Sequence, residues 1–157
     1  MQHQPTRVAA AATVLVAILA TACGSSNATS NGTGGGSCSA TTNFPTAALS
    51  TIATDGGKLS VAIRGAPYQP LVAGLDCLEL VVTDPATGAA VDGLSITMTP
   101  WMPAMGHGAD TTPLLTPLGE GRYVFTGVSL FMPGEWQLRT QFSGKVSDSV
   151  EPTFSVD

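Results

Sequence analysis

The amino-acid sequence predicts an all-β protein, an immunoglobulin-like antiparallel β-sandwich of about seven strands. From Lys58 to the end of the chain, apolar and polar residues alternate in short runs, which is the period of a half-buried strand. Eleven prolines and eighteen glycines punctuate the whole chain, and no segment repeats apolar residues at helical spacing over several turns. Short strands separated by turns are typical of a sandwich, and a small β-barrel is the second interpretation.

The first three predicted strands come from three alternating segments. Residues 59–63 and 78–83 each place an apolar side chain at every second position, and the turn-forming residues 84–88 follow the second segment. A third alternating segment covers residues 94–98. Proline cannot donate to a sheet ladder, so we expect Pro100 to stop this strand.

The remaining predicted strands lie nearer the carboxyl terminus. Residues 122–126 alternate around two aromatic side chains, and residues 136–142 form a further strand entered through a Pro-Gly turn at 133–134. Residues 149–156 give the closing strand, in which Pro152 indicates an edge or a bulge.

The amino-terminal segment 1–22 has the layout of a secretory signal peptide. Arg7 precedes the apolar residues 8–19, a stretch too short to cross a membrane as a helix. Small residues then lead into Cys23, so the segment resembles a bacterial lipoprotein signal whose cysteine is lipid-modified. We therefore expect an extracytoplasmic protein anchored to the bacterial cell envelope, with Gly24 favouring the outer membrane in a host with two membranes. An ordinary cleaved signal peptide is the alternative.

Three segments follow from this layout: the signal peptide, a linker and one domain. Residues 23–56 hold the lipidated cysteine and a flexible Gly/Ser/Asn-rich linker, with 43–56 transitional, and residues 57–157 form the domain. Cys38 and Cys77 are then an even pair in an oxidising compartment, which predicts a disulfide between them. Two unpaired thiols, with Cys77 buried as a small apolar residue, are the alternative.

The charge pattern excludes some classes of function. Only 11% of the residues are charged, and without Arg7 five basic and eleven acidic residues remain. No basic patch interleaves with aromatic residues, so we expect no nucleic-acid partner. A nucleophile, a base and an orienting residue cannot be named together, so we expect no enzyme.

The candidate chemistry lies between residues 98 and 132, which hold every methionine of the mature chain and its single histidine. Thioether sulfur and imidazole nitrogen together favour Cu(I), whereas zinc requires thiolates, more histidines or carboxylates. Two prolines and two glycines predict a loop that stays out of the sheet ladders. The candidate metal ligands are Met102, Met105 and His107, completed by Met132 from another turn.

Structural interpretations compete with ligation at each of these positions. Met98 shares a strand face with other apolar residues and is expected in the core, as is Trp136. The loop methionines could instead plug the open end of the sandwich while His107 hydrogen-bonds a carbonyl. They could also form an adaptable, methionine-rich surface for a partner protein.

Three motifs in combination resemble the YtkA-like domain. They are Met-Pro-Ala-Met-Gly-His-Gly at 102–108, Gly-Arg-Tyr at 121–123 and Met-Pro-Gly-Glu-Trp-Gln-Leu at 132–138. The chain is also similar to the related FixH proteins and to domains appended to some copper-efflux adaptors. The resemblance covers residues 57–157 and implies an extracytoplasmic immunoglobulin-like module associated with copper handling or oxidase assembly.

Two functions of different classes remain open from the sequence. The first is a lipid-anchored, non-enzymatic module that binds or relays Cu(I), with a copper-handling or oxidase-assembly protein as partner. Because the mature chain has one histidine, such a copper site would be dominated by methionine. The second is an immunoglobulin-like protein-interaction module in which the Met-Pro-Ala-Met-Gly-His loop is purely structural.

Overall fold

The computed structural model describes Ser39 and residues 42–157. These residues form two antiparallel sheets of five strands each and no helix, which confirms the predicted β-sandwich. The barrel interpretation is wrong, because within this part of the chain no strand pairs from one sheet to the other. None of the described residues belongs to a helix with the length and apolar character that spanning a membrane requires.

The described residues contain ten strands, where about seven were expected. In chain order they are β1 (Ser50–Ala53), β2 (Ser60–Ala66), β3 (Gly74–Thr83), β4 (Leu94–Met102), β5 (His107–Gly108), β6 (Leu114–Gly119), β7 (Arg122–Leu130), β8 (Gly134–Gly144), β9 (Asp148–Val150) and β10 (Thr153–Val156). The first sheet has the order β1-β2-β3-β7-β6, and the second has β10-β8-β4-β5 with β9 also on β8. Without β1, this is the strand order of an immunoglobulin sandwich with β5 as an additional edge strand.

The core lies between the two sheets and is built by the predicted alternation. Along β4 every second residue is buried, and Met98 is only 2% exposed. Trp136 of β8 is fully buried in the same cluster, so both residues are core residues as expected. Alternation works here because successive side chains of a strand point to opposite faces of its sheet.

β4 does not stop at Pro100 as expected but continues to Met102. Pro100 lies opposite Leu138 of β8, and the backbone N–H of Leu138 donates away from this pair to the Pro152 carbonyl at 2.9 Å. The Pro100 carbonyl accepts from the Ala109 N–H at 3.1 Å, on the β5 side. Pro100 has no backbone N–H, but at this position of the ladder β8 does not require a hydrogen bond from β4. The proline therefore fits within the strand.

β1 lies inside the range 23–56 that the sequence assigned to the linker. It pairs with β2 from Ser50 opposite Ile63 to Ala53 opposite Ser60, so the folded part begins before residue 57. Ile52 is its one large apolar residue, which is too little for an alternating pattern to be visible in the sequence.

The predicted closing strand is divided at Pro152 into β9 and β10, and both pair only with β8. This confirms the edge position that the proline indicated.

The signal peptide, Cys23 and Cys38 lie outside the described residues. Cys77 of β3 is fully buried and is disulfide-bonded. The interpretation of Cys77 as an unpaired thiol is therefore wrong. Its pairing with Cys38 stays a prediction.

Candidate functional site

The Met-Pro-Ala-Met-Gly-His segment forms the tip of a β-hairpin. β4 and β5 pair over two positions, with Met102 opposite His107. The Met102 carbonyl accepts from the backbone N–H groups of Met105 and Gly106 at 3.1 and 3.0 Å, and Gly106 has a φ of 68°. A positive φ of this kind is freely available to glycine. The expectation that the segment stays out of a sheet ladder is wrong, because Met102 and His107 pair with each other. Pro103 is compatible with this pairing, since it lies in the turn, where no backbone N–H is needed for the ladder.

Met102 faces the interior of the sandwich. Its side chain is 7% exposed and belongs to the hydrophobic core. Its terminal methyl lies so close to Gly134 that a β-carbon there would come within 2.7 Å of Met102 Cε. Directly opposed residues of an antiparallel pair have β-carbons about 5 Å apart on one face of the sheet. Met102 and His107 are therefore direct neighbours.

His107 is half-buried, and two contacts orient its ring. Nδ1 lies 3.1 Å from the carbonyl oxygen of Gly108. A carbonyl can only accept, so this hydrogen bond requires the proton on Nδ1, and in the neutral imidazole Nε2 then carries the lone pair. The imidazole also stacks on Phe131, with centroids 6.0 Å apart and planes inclined by 10°, and Phe131 forms a T-shaped pair with Trp136 at a centroid distance of 5.4 Å.

The loop between β7 and β8 brings Met132 to the same end of the sandwich. Met132 is partly buried against the core, and its carbonyl accepts from Trp136 Nε1 at 2.8 Å. Two residues close to it in the sequence contact the hairpin, because Phe131 stacks on His107 and Gly134 lies against Met102. The sequence did not identify Phe131 and Gly134 as residues that contact the hairpin. The only signal was the position of the Met-Pro-Gly turn just before Trp136.

Met105 is placed differently from the other three candidates. It lies in the hairpin turn with 58% of its surface exposed. The structure thus brings Met102 and His107 together, sets Met132 on the adjoining loop and leaves Met105 accessible to solvent. Among the described residues, no three His, Cys, Asp or Glu side chains are grouped as a metal site. A metal at this end of the sandwich would therefore depend on thioethers and His107.

Two buried acids in β3 were not identified from the sequence. Glu79 alternates with the apolar residues of its strand, yet it is fully buried. Its Oε2 lies 2.9 Å from Arg64 Nη1, and its Oε1 lies 2.6 Å from Arg122 Nη2. The two arginines come from β2 and β7, the strands on either side of β3. Nothing local in the sequence pairs these three positions.

Asp76, the second acid, lies at an irregularity in the pairing of β3 with β7. It is 1% exposed, and its Oδ2 has no hydrogen-bond partner. Burial raises the pKa of Asp76 from 3.8 to about 6. The folded state therefore holds this proton at higher pH than the unfolded chain, so stability is lost as the pH rises from about 4 through about 6.

We expect Asp76→Asn to remove this loss, because the amide carries no charge into the buried site. Above about pH 6 the variant should unfold with a free energy higher by roughly 1–3 kcal/mol, and the advantage should shrink toward pH 4. Urea unfolding across this range measures the difference. Asp148→Asn is the control of opposite sign, because hydrogen bonds from Thr54 and nearby backbone N–H groups lower the pKa of Asp148. An unchanged pH profile in Asp76→Asn would contradict the prediction.

A protein-family model described as YtkA-like matches residues 58–141, more than half of the 157 residues. The matched span runs from the residues before β2 into β8 and includes the hairpin tip, Met132 and Trp136. No curated protein matches the chain.

Proposed function

Since the chain belongs to the YtkA-like family, we propose that it is a lipid-anchored, non-enzymatic module of the bacterial cell envelope that binds or relays Cu(I). The proposed ligands are Met102, Met105, His107 and Met132. The observation that carries the proposal is the pairing of Met102 with His107 at the hairpin tip, where the Gly108 carbonyl engages Nδ1 of His107 and leaves Nε2 for a metal. Lipid attachment at Cys23 rests on the sequence of the signal peptide.

The positions of the four side chains suit a relay. Met102 and Met132 are held by the core, so they would form a fixed part of the site. Met105 is exposed and would be the donor that an incoming or departing copper ion meets first. Thioethers are neutral soft ligands, so the set favours Cu(I) over Cu(II) or Zn(II). The proposed partner is a copper-handling or oxidase-assembly protein of the same compartment.

A protein-interaction module is the second candidate, and specific observations favour it. Met102 already fills a place in the core, and the His107–Gly108 hydrogen bond would serve as a structural staple. Tyr68, Met105 and Phe131 are three exposed apolar side chains, and they lie in the β2–β3, β4–β5 and β7–β8 connections. These connections meet at one end of the sandwich, because Gly74 pairs with Leu130 and His107 stacks on Phe131. Methionine-rich surfaces adapt readily to different partners.

Cu(I) titration of the mature protein separates these two functions. We expect one Cu(I) per chain in competition with a chromogenic chelator. The triple variant Met102→Leu/Met105→Leu/His107→Gln removes three proposed ligands and keeps the side-chain volumes similar. Its affinity for Cu(I) should fall by more than ~100-fold, since loss of a single residue that only supports a ligand already costs ~10–100-fold. Met98→Leu is the matched control and should bind as the wild type does, because Met98 is a core residue.

The pH dependence of the same titration tests the role of the histidine. An imidazole must lose its proton to bind a metal, whereas thioethers do not titrate. Binding should therefore weaken on acidification in the wild type, and His107→Gln should abolish that dependence. If the wild type binds no Cu(I), or the triple variant binds it equally well, the interaction module is the correct function.

A further inference from the structure

The outer face of the second sheet carries a cavity of about 470 Å³. This volume lies within the ~300–1,000 Å³ typical of small-molecule sites. The cavity lies on the face of β4 that points away from the core and is lined by residues of β4, β8 and the β9 region. The lining residues used below are Thr97, Thr99, Trp101, Arg139, Gln141 and Glu151.

Strand register places these side chains in rows on one face. Thr99 lies opposite Arg139, and Thr97 lies opposite Gln141. Thr97 and Thr99 are exposed and alternate with the buried Ile96 and Met98, so the cavity faces solvent while the opposite face of β4 forms the core.

Arg139 is held in place by two contacts. Its Cζ lies 4.3 Å above the ring centroid of Trp101, and its Nε donates to Gln137 Oε1 at 2.9 Å. Among the described residues, neither Nη atom of Arg139 has a hydrogen-bond or ion-pair partner. A guanidinium fixed in this way offers two parallel N–H donors, which match the two oxygens of a carboxylate.

The nearest acid on this face does not neutralise the arginine. The pairing of Thr140 with Val150 places Glu151 next to Arg139 across the strands, yet the two form no ion pair. Glu151 is exposed, so its carboxylate can accept hydrogen bonds from hydroxyl groups. Thr97, Thr99 and Gln141 add further donors and acceptors to the lining.

We propose that this cavity binds a sugar acid, with its carboxylate on the Nη atoms of Arg139 and its hydroxyl groups on Thr97, Thr99, Gln141 and Glu151. Arg139 is the one positively charged side chain in the cavity lining, which favours a ligand with one carboxylate. The net charge of −5 on the whole chain disfavours ligands with several negative charges. The guanidinium covers one face of Trp101, so recognition depends on charge and hydroxyl hydrogen bonds together. The proposal is independent of copper binding.

NMR titration of the mature protein with three probes tests this proposal. D-Glucuronate should shift the Trp101 indole and Gln141 amide resonances in a saturable way. Glucose, which lacks the carboxylate, and acetate, which lacks the hydroxyl groups, should each bind at least about tenfold more weakly. Equal binding of glucose or acetate, or an absence of shifts with glucuronate, would overturn the proposal.

Variants then assign the interaction to the cavity. Arg139→Gln should weaken glucuronate binding at least about tenfold, because the charged donors are lost. Lys145→Gln removes an exposed positive charge outside the cavity lining and should leave binding unchanged. Thr99→Val keeps Arg139 and its contact with Trp101 but lacks the hydroxyl, so it should weaken binding by several-fold. Wild-type affinity in both Arg139→Gln and Thr99→Val would show that the cavity is not the site.

Discussion

Glu79→Ala is expected to lower the free energy of unfolding by about 3 kcal/mol. Removing one member of a buried ion pair costs roughly 3–5 kcal/mol, because the remaining charge stays buried without a partner. Here Glu79 is completely buried, while the side chains of Arg64 and Arg122 are 26% and 44% exposed. Because the arginines can turn partly toward water, we expect a loss at the lower end of that range.

A matched series of variants separates the charge effect from the cavity effect. Glu79→Gln keeps the shape of the side chain and one oxygen acceptor, so its loss should be smaller than that of Glu79→Ala. Replacing all three residues by methionine or leucine should recover much of the stability, since no unpaired charge is then buried. Urea unfolding at neutral pH measures each value. A loss below about 1 kcal/mol in Glu79→Ala would show that the three residues do not act as a buried network.

Trp136→Ala is expected to lower the free energy of unfolding by roughly 3–5 kcal/mol. The ring is fully buried and lies in the core between the sheets. Its removal leaves a cavity and deprives the Met132 carbonyl of the donor that now lies 2.8 Å away. Phe131 also loses the ring that it meets at 5.4 Å, so the stacking partner of His107 should become more mobile.

Trp136→Phe is the control for this variant. It keeps an aromatic ring in the core but cannot donate to the Met132 carbonyl, so its loss should be about 1–3 kcal/mol. Urea unfolding gives the stability, and the NMR line widths of the His107 ring report its mobility. If Trp136→Ala unfolds within about 1 kcal/mol of the wild type, the assignment of Trp136 as the core anchor is contradicted.

The sequence predicted the strands whose alternation is long enough to be recognised. β2, β3, β4, β7 and β8 each carry buried apolar residues at a spacing of two for several positions. β1 and β5 are four and two residues long, so neither presents a period. β6 was missed because its residues are mostly exposed, with Leu114 68% exposed.

The Met/His segment could be located from composition alone, but its shape could not. Prolines in the segment indicated a loop, whereas Pro100 lies within β4 and Pro103 lies in the turn of the hairpin. Whether a proline disrupts a strand depends on which neighbouring strand needs its backbone donor. That neighbour lies far away in sequence.

By itself, the sequence determined the all-β class, the main strands, the core positions of Met98 and Trp136, and the segment that carries the methionines and His107. These properties depend on local periodicity and residue type. Only the tertiary structure decided that Met102 lies in the core opposite His107, that Glu79 is enclosed by two arginines, and that Arg139 rests on Trp101 beside a cavity. The reason is physical: burial of Met102 and the contacts of Glu79 and Arg139 depend on how the strands pack in the whole sandwich, and the pairing of Met102 with His107 depends on the turn geometry of the hairpin.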